Sequence, residues 1–370
     1  MSLGLGVIGC GSVFAGPYAA IIERLHAGGR VHVSAVFDVD ERKRHGAAER
    51  YAVDPTLAGP AAVIGHDGVD IVLVLTSMNE HGPLAKAALE AGKHVLVEKP
   101  MATSLDEAAE LIRLSRDAPG LLVCAPHILL SPTFRSIHRA VRDGAVGRLL
   151  TARARYGWAG PWWGEWFYRP GGGSLFDLGV YNVTTLCALF GPARRVTAMV
   201  GVAVPEREVN GRPIRVEADD NAHVLLDFGE SRFAVVTMGF TMQKYRSPAV
   251  ELYGSEGTAQ LLGDDWAPDG WELWRSDEGC WRVFPEIDPH WQWTDGLRHL
   301  VDCVETGRPP ITSPEHAYHA LEIMLAAQAA GRDGVARTVT SDFPEPVYDD
   351  GWVAAEEAHR AHDHRSHDGL

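Results

Sequence analysis

Short apolar runs alternate with amphipathic segments over the first 125 residues of the chain. The run at 71–75 is continuous in Ile, Val and Leu, as is typical of a parallel strand covered on both faces. The predicted strands are 5–8, 31–37, 71–75, 94–97 and 121–124. The predicted helices are 18–25, 41–51, 82–91 and 105–115. This alternation predicts an α/β fold, a doubly wound parallel sheet of the Rossmann type.

The pattern changes near residue 151, where longer strands joined by short polar turns begin. The strands predicted here are 151–156, 195–204, 222–228, 232–240 and 250–262, and the helices are 131–143, 177–189, 299–306 and 315–330. They predict an α+β domain with a large, open and predominantly antiparallel sheet. We therefore divide the chain into domains at 1–125 and 126–345 and an acidic, His-rich tail at 346–370. Because an open sheet of this size leaves a broad face uncovered, we expect a homodimer or homotetramer through the C-terminal sheet.

Composition restricts the partners and the compartment. The formal net charge is −15 and no local run of Lys or Arg offsets it, so no nucleic acid and no membrane surface is expected as a partner. No basic targeting segment opens the chain, and no apolar stretch approaches the roughly 20 residues of a bilayer span, so we expect a cytoplasmic protein. A small-molecule partner is favoured.

Cysteines and histidines give no metal or disulfide pattern. The five cysteines are widely spaced and contain no CxxC pair, so neither a disulfide framework nor a metal site is predicted. The tail carries His359, His362, His364 and His367. A solvated terminus explains these histidines better than a metal site, because nothing fixes a ligand geometry.

A glycine-rich turn follows the first predicted strand. Gly9, Gly11, Ser12 and Val13 lead into a helix, and glycines let a pyrophosphate approach backbone N–H groups at the positive end of that helix. The pattern indicates dinucleotide binding, with a simple tight turn as the alternative.

The end of the second strand bears on the choice of cofactor. Asp38 lies where a carboxylate accepts a hydrogen bond from a ribose 2′-hydroxyl and repels a 2′-phosphate. This favours NAD, and NADP remains an alternative because Arg42 and Lys43 follow closely. An exposed aspartate at a helix start is the structural explanation of the same residue.

Polar residues follow the next strands at the carboxyl edge of the predicted sheet, where ligands bind in open α/β sheets. Thr76, Asn79 and His81 come after one strand, and Glu98 and Lys99 come after the next. The proline after Lys99 favours an extended backbone there, which holds the ammonium at the sheet edge. We predict cofactor contacts from all five residues and a catalytic role for Lys99.

A second glycine run, at 171–173, precedes the sequence SLFDLGVY. If Asp177 starts a helix, Tyr181 lies one turn further on the same face, and the glycines permit close approach of a ligand to the backbone. The segment predicts an acid and a phenol that act together. A capping aspartate followed by a core tyrosine is the alternative.

These segments together resemble one known family. GVIGCGSVF, AALEAGKHVLVEKPMA, GGGSLFDLGVYNVT and ELYGSEGTAQL occur in an order and spacing similar to those of the Gfo/Idh/MocA oxidoreductases, over about residues 4–340. The resemblance implies that Lys99 touches the nicotinamide ribose and the substrate, and that Asp177 and Tyr181 act on the reacting hydroxyl. Many members have histidine where this chain has Tyr181, so a phenol assisted by Lys99 is expected to handle the proton.

Two further segments point to substrate contacts. Where relatives often carry an arginine before a proline, this chain reads APHILLSP, and His127 is the replacement that we predict. Aromatic residues crowd 158–168, where flat rings suit the apolar faces of sugar rings and Arg169 suits a polar group. We predict substrate contacts from Trp166 and Arg169, with core packing or an oligomer contact as the alternative for this segment.

The sequence therefore predicts an NAD(P)-dependent dehydrogenase that acts on CH–OH donors, interconverting a secondary alcohol and a ketone on a sugar, sugar derivative or cyclic polyol. In this reading 1–125 binds NAD, and 126–345 binds the substrate and forms the oligomer. Two alternatives remain: an enzyme that cleaves glycosides with tightly held NAD, and a non-catalytic sensor of cofactor or ligand. Net NADH production from a free sugar or polyol would separate them.

Overall fold

The chain folds into two units, each built around its own sheet. A computed structural model describes residues 2–288 and 291–348. The first unit contains the chain up to His127 and Gln292–Pro314, and the second contains Ile128–Trp291 and Glu315–Glu345. His359, His362, His364 and His367, for which a solvated terminus is predicted, lie outside the described residues.

Five parallel strands form the sheet of the first unit, in the order β2-β1-β3-β4-β5. The strands are β1 (Leu3–Ile8), β2 (Val31–Phe37), β3 (Ile71–Val74), β4 (His94–Val97) and β5 (Leu122–Cys124). The helices are α1 (Ala19–Ala27), α2 (Glu41–Tyr51), α3 (Pro60–Ile64), α4 (His81–Glu90) and α5 (Leu105–Asp117). All of β3 is buried, as its unbroken apolar sequence predicts. The predicted Rossmann sheet is confirmed.

The second unit contains α6 (Pro132–Arg142), a nine-stranded sheet and a separate two-stranded sheet. The strands of the second unit are β6 (Leu149–Gly157), β7 (Arg195–Gly201), β8 (Glu206–Val209), β9 (Arg212–Arg215), β10 (Asn221–Asp227), β11 (Phe233–Gly239), β12 (Val250–Gly254), β13 (Gly257–Asp264), β14 (Ala267–Arg275) and β15 (Cys280–Phe284). Between β6 and β7 lies α7 (Val180–Phe190), preceded by a π-helical turn at Leu175–Gly179. Helix α7 is buried almost all round, so most of its residues are apolar, and its polar residues Asn182, Thr184 and Thr185 are buried with them.

The last two helices of the described residues belong to different units. Helix α8 (Gly296–Thr306) belongs to the first unit, where Leu297, Leu300 and Val301 pack into the core around β1 and β2. Helix α9 (Pro314–Asp333) and the short β16 (Arg337–Thr338) belong mainly to the second unit. The sequence-based boundary at 126–345 differs from this division at residues 292–314, because the apolar face of α8 packs on the first sheet.

The nine-stranded sheet has the order β15-β14-β13-β12-β6-β11-β10-β7-β16. Every neighbouring pair is antiparallel except β11 with β6, so the predicted large, mainly antiparallel sheet is confirmed. The single strand predicted at 250–262 is wrong. Ser255 and Glu256 form a turn there, and Tyr253 pairs with Thr258 in a hairpin. Glycine is required on each side of this turn, because a Cβ at Gly254 would lie 2.1 Å from the carbonyl oxygen of Val146 and one at Gly257 would lie 2.5 Å from that of Trp274.

Within residues 2–288 and 291–348, no helix has the length and apolar character needed to cross a bilayer. Over the same residues, no group of three His, Cys, Asp or Glu side chains is arranged to hold a metal ion.

Candidate active site

The glycine turn of the first unit joins β1 to a helical segment that begins at Ser12. Gly9 has a φ of +100°, and a Cβ there would lie 2.5 Å from the carbonyl oxygen of Leu75. A Cβ at Gly11 would meet no atom within 4 Å, so this side of the turn is open. Ser12 is exposed and Val13 half-buried, and the N–H groups of a first helical turn lack partners within their own helix. The turn therefore fits a dinucleotide pyrophosphate.

Asp38 lies beside this turn, at the end of β2. Its Oδ2 accepts a hydrogen bond from the N–H of Cys10 (2.7 Å), and its Oδ1 accepts one from the N–H of Asp40 (2.7 Å). The carboxylate is 8% exposed and keeps a free lone pair on each oxygen. The structure thus brings together the glycine turn and Asp38, as the dinucleotide pattern predicts, while Arg42 projects into solvent.

The residues after β3 differ in exposure. Thr76 is half-buried and Asn79 is exposed. His81 is 1% exposed, with Nδ1 2.7 Å from the carbonyl oxygen of Pro100 and Nε2 3.1 Å from that of Thr76. Burial lowers the pKa of His81, although the contacts with these two carbonyl oxygens act to raise it. We therefore assign a neutral ring whose single N–H points to Pro100. His81 thus holds together the loops that follow β3 and β4.

Glu98 and Lys99 follow β4. The hydroxyl of Tyr18 donates to Glu98 Oε1 (2.9 Å), and Glu98 Oε2 accepts from the N–H of Lys99 (3.2 Å). Tyr18 also meets the ring of Trp293 edge-on, with 6.3 Å between centroids. Glu98 is buried and Lys99 half-buried, and the Lys99–Pro100 peptide bond is cis. The sequence did not indicate this role of Tyr18, because an aromatic residue on a buried helix face is usually interpreted as a core residue.

In the second unit, Asp177 and Tyr181 lie on either side of the junction between the π-helical turn and α7. Both are buried, at 8% and 7% exposure. Tyr156 on β6 packs against Tyr181, and burial first, then the electrostatic effects of Tyr181 and Asp177, raise the pKa of Tyr156. The predicted acid and phenol therefore share a neighbour. Tyr156 was not identifiable from the sequence alone, because it occupies one position of an alternating strand.

We call residues 158–168 the aromatic loop. Its rings stack on one another: Trp158 on Trp163 with 5.4 Å between centroids, and Trp166 on Phe167 with 3.7 Å. Trp162, Trp163 and Trp166 remain 66%, 42% and 41% exposed. A backbone hydrogen bond joins the loop to the turn that carries Asp177: the N–H of Gly173 donates to the carbonyl of Phe167 (2.8 Å).

Arg169 follows the aromatic loop directly, and its guanidinium already donates to two carboxylates. Its Nε donates to Glu165 (3.0 Å), its Nη2 donates to the same carboxylate, and its Nη1 donates to Glu217. A polar group of a substrate would have to displace one of these partners.

His127 is 1% exposed and lies against the start of α8 in the first unit, where a Cβ at Gly296 would run into its ring. Neither ring nitrogen has a hydrogen-bond partner in the part of the chain that the structure describes. Burial first, and nearby His299 second, lower the pKa of His127 to about 3, so its ring is neutral and can donate one hydrogen bond and accept one.

Family models match both units. The model described as an oxidoreductase family with an NAD-binding Rossmann fold matches residues 3–124, and the GFO/IDH/MocA C-terminal domain matches residues 134–260. The chain belongs to the Gfo/Idh/MocA oxidoreductase family. The predicted resemblance is confirmed, and this Gfo/Idh/MocA protein is an enzyme, an oxidoreductase with NAD as its cofactor.

Relatives of this Gfo/Idh/MocA oxidoreductase include proteins named as dehydrogenases. The trans-1,2-dihydrobenzene-1,2-diol dehydrogenase of Macaca fuscata fuscata is 27% identical over 278 residues, which cover 72% of this chain and 75% of that protein. The D-xylose dehydrogenase of Paenarthrobacter nicotinovorans is 26% identical over 344 residues, covering 83% and 85%. A levoglucosan dehydrogenase solved with NADH and levoglucosan shares the fold, with a TM-score of 0.81 at 18% identity, covering 92% of this chain and 100% of that one.

Proposed function

We propose that this enzyme interconverts a secondary alcohol and a ketone on a sugar, a sugar derivative or a cyclic polyol, with NAD preferred over NADP. The observation that carries the substrate class is the aromatic loop. The tryptophan faces of this loop are exposed, and a backbone hydrogen bond joins the loop to the turn that carries Asp177. Flat apolar rings, with a carboxylate on the turn bonded to their loop, suit a molecule with apolar faces and several hydroxyls.

The names of the relatives agree with this class. A dihydrodiol, a pentose and an anhydrosugar are the substrates named for the dehydrogenases above. All three are compact, hydroxylated molecules.

We propose the following division of labour. Bound NAD would supply the acceptor for the hydride of the carbinol carbon. The phenolate of Tyr181 takes the proton of the same hydroxyl and becomes a neutral phenol, so the C–H and O–H bonds break as the C=O bond forms. The ammonium of Lys99 favours the negative oxygen, and Asp177 accepts a hydrogen bond from a substrate hydroxyl.

Binding is divided among the remaining residues. We propose that Gly9, Gly11, Ser12 and Val13 receive the pyrophosphate and that Asp38 receives the adenosine ribose. Cofactor contacts are proposed for Thr76, Asn79, Glu98 and Lys99, with His81 holding their loops. Substrate contacts are proposed for His127, Trp166 and Arg169.

We further propose a cytoplasmic homodimer or homotetramer assembled through the nine-stranded sheet. Leu225 of β10 lies directly opposite Val235 of β11, and the two side chains are 46% and 37% exposed. Exposed apolar pairs in the middle of a sheet indicate a covered face. Leu225→Glu should lower the mass measured by light scattering, whereas Val39→Glu, at a 91% exposed position in the first unit, should leave it unchanged.

The function is tested by incubating the purified protein with NAD and a panel of pentoses, hexoses, anhydrosugars, inositols and cyclic diols while NADH fluorescence is followed. We expect net NADH with at least one free sugar or polyol, and its loss in Tyr181→Phe. Glycoside cleavage without net NADH, or ligand binding without turnover of any panel member, would overturn the proposal.

A further inference from the structure

We propose that two adjacent aspartates, Asp219 and Asp220, position separate parts of the substrate site. Asp219 fixes the turn that carries Asp177, and Asp220 fixes the aromatic loop through Arg207. Asp219 is 8% exposed and Asp220 is fully buried. The catalytic consequences of this inference rest on the proposed function.

Asp219 holds the start of the catalytic turn. Its Oδ2 accepts hydrogen bonds from the hydroxyl of Ser174 (2.8 Å) and the N–H of Leu175 (2.9 Å). Its backbone carbonyl accepts one from the N–H of Ser174 (2.8 Å). Gly173, with φ of +105°, lies so close that a Cβ there would be 2.4 Å from Asp219 Oδ1. Asp219 therefore caps the π-helical turn two residues before Asp177.

The capping contact needs an acceptor more than a charge. Burial raises the pKa of Asp219, and a single oxygen, Oδ2, receives both donors. The carbonyl oxygen of an asparagine offers the same two lone pairs. Asp219→Asn should therefore keep the turn in place, whereas Asp219→Ala should release it.

Asp220 faces a different set of groups. Its Oδ1 accepts from the N–H of Ala203 (2.6 Å), and its Oδ2 accepts from the N–H of Val204 (3.1 Å) and from Arg207 Nη2 (3.0 Å). Fixed in this way, Arg207 donates to the carbonyl of Ala159 through Nη1 (2.7 Å) and to that of Phe240 through Nη2 (2.8 Å). Asp220 thus orients the guanidinium of Arg207 towards the backbone of the aromatic loop.

Other contacts complete the fixation of the aromatic loop. The guanidinium of Arg207 lies 5.3 Å from the ring centre of Tyr168, whose hydroxyl donates to the carbonyl of Pro161 (2.8 Å). Asn210, in the turn between β8 and β9, donates from its N–H to the carbonyl of Trp162 (2.8 Å) and from its amide to that of Trp163 (3.0 Å). The backbone of the loop is held while its tryptophan faces stay exposed.

Rigid, exposed aromatic rings are characteristic of a binding surface that is ordered before its ligand arrives. Ordering them in advance removes part of the entropic cost of binding, so Arg207 should govern substrate affinity. The capped turn instead carries a residue proposed to act on the reacting hydroxyl, so Asp219 should govern turnover. We therefore expect the contacts of Asp219 to determine kcat and those of its neighbour Asp220, through Arg207, to determine KM.

The experiment compares Asp219→Ala, Asp219→Asn, Arg207→Lys and the control Arg212→Lys. Arg212 belongs to the same hairpin and is exposed. Steady-state kinetics, NADH affinity and the near-ultraviolet circular dichroism of the tryptophans are measured for each. Lysine keeps the charge of Arg207 but its single ammonium cannot repeat the fork of three contacts.

We expect Asp219→Ala to lower kcat about tenfold or more with KM nearly unchanged, and Asp219→Asn to restore it. Arg207→Lys should raise KM about tenfold with kcat nearly unchanged and weaken the tryptophan dichroism. Arg212→Lys should match wild type in every measurement, and NADH affinity should be constant throughout.

Equal effects of Asp219→Ala and Arg207→Lys on both kcat and KM would overturn the separation, as would wild-type kinetics in both. If no sugar or polyol is turned over, the proposed function fails, and dichroism alone decides: Arg207→Lys must lose tryptophan signal that Asp219→Ala keeps. If Asp219→Ala does not fold, Ser174→Ala tests the same turn, and an unchanged kcat in that variant overturns the role of Asp219.

Discussion

Tyr156 and Tyr181 meet edge to face, with their ring centroids 5.7 Å apart and their planes inclined by 72°. Tyr156 stands on β6 and Tyr181 in the first turn of α7. Burial, with smaller contributions from Tyr181 and Asp177, raises the pKa of Tyr156 well above the ordinary value. Tyr156 therefore stays protonated over the working range, and the two phenols have different roles.

The first prediction follows from this pair. Tyr156→Phe keeps the ring that supports Tyr181 and removes only a hydroxyl that does not ionise, so kcat should stay within about threefold of wild type with the same pH profile. Tyr156→Ala also removes the ring and should destabilise the fold by about 3–5 kcal/mol. The measurements are pH-dependent kinetics and chemical denaturation. If Tyr156→Phe lost the basic limb of the profile, the proton would have to be assigned to Tyr156.

The second prediction concerns the choice of cofactor. The carboxylate of Asp38 lies beside the glycine turn, where it would repel a 2′-phosphate. Asp38→Asn should therefore weaken NAD binding and shift the ratio of NADP to NAD affinity towards NADP by about tenfold or more. Calorimetry with both cofactors measures this, and Asp40→Asn, two residues away, serves as the control. A wild type that prefers NADP, with no shift in Asp38→Asn, would remove Asp38 from this role.

The first unit was predictable because its information is local. Buried parallel strands are continuous apolar runs, and β2, α2 and β4 begin and end where the sequence predicts. The rule that ligands lie beyond the carboxyl ends of such strands then points to the glycine turn and Lys99 without any knowledge of side-chain contacts.

The supports of the second unit were not predictable from the sequence, because they depend on contacts between distant residues. Asp219 caps a turn about 45 residues earlier, and Arg207 reaches a carbonyl 48 residues away. Nothing near either residue in the sequence indicates those partners. A helix was predicted at 299–306, but the sequence does not tell on which sheet that helix packs.

The third prediction separates the aromatic loop from the cofactor. Trp166 is 41% exposed in the second unit, at the loop that leads to Asp177. Trp166→Ala should raise KM about tenfold and leave NAD affinity unchanged, because a stacking surface for the substrate is lost. Trp281→Ala is the control, because Trp281 is similarly exposed, at 46%, but lies on the edge strand β15. A collapse of NAD affinity with the fold intact would assign Trp166 to the cofactor.

The fourth prediction concerns stability and pH. Burial raises the pKa of Asp265 from 3.8 to about 6, although Thr185 and Asn182 donate hydrogen bonds to it. Between these values the folded state binds more protons than the unfolded state, so this group makes stability fall as pH rises. Asp265→Asn should remove that fall, which is worth roughly 3 kcal/mol for about two pH units. Denaturation from pH 4 to 7 measures it, and parallel curves for wild type and variant would contradict it.

The last prediction addresses catalysis, in which a hydroxyl proton must leave as the hydride leaves the same carbon. A positioned acid or base contributes about 10² to 10⁴ in rate, so Lys99→Met and Tyr181→Phe should each lower kcat by about that factor and change NAD affinity little. If the ammonium acts by favouring the negative phenol oxygen, removing either group removes the same contribution. The double variant should therefore lose far less than the product of the two single losses. Rapid-mixing kinetics with the substrate found in the panel provides the measurement. A Tyr181→Phe variant that kept nearly wild-type kcat across the pH range would show that this phenol serves packing alone.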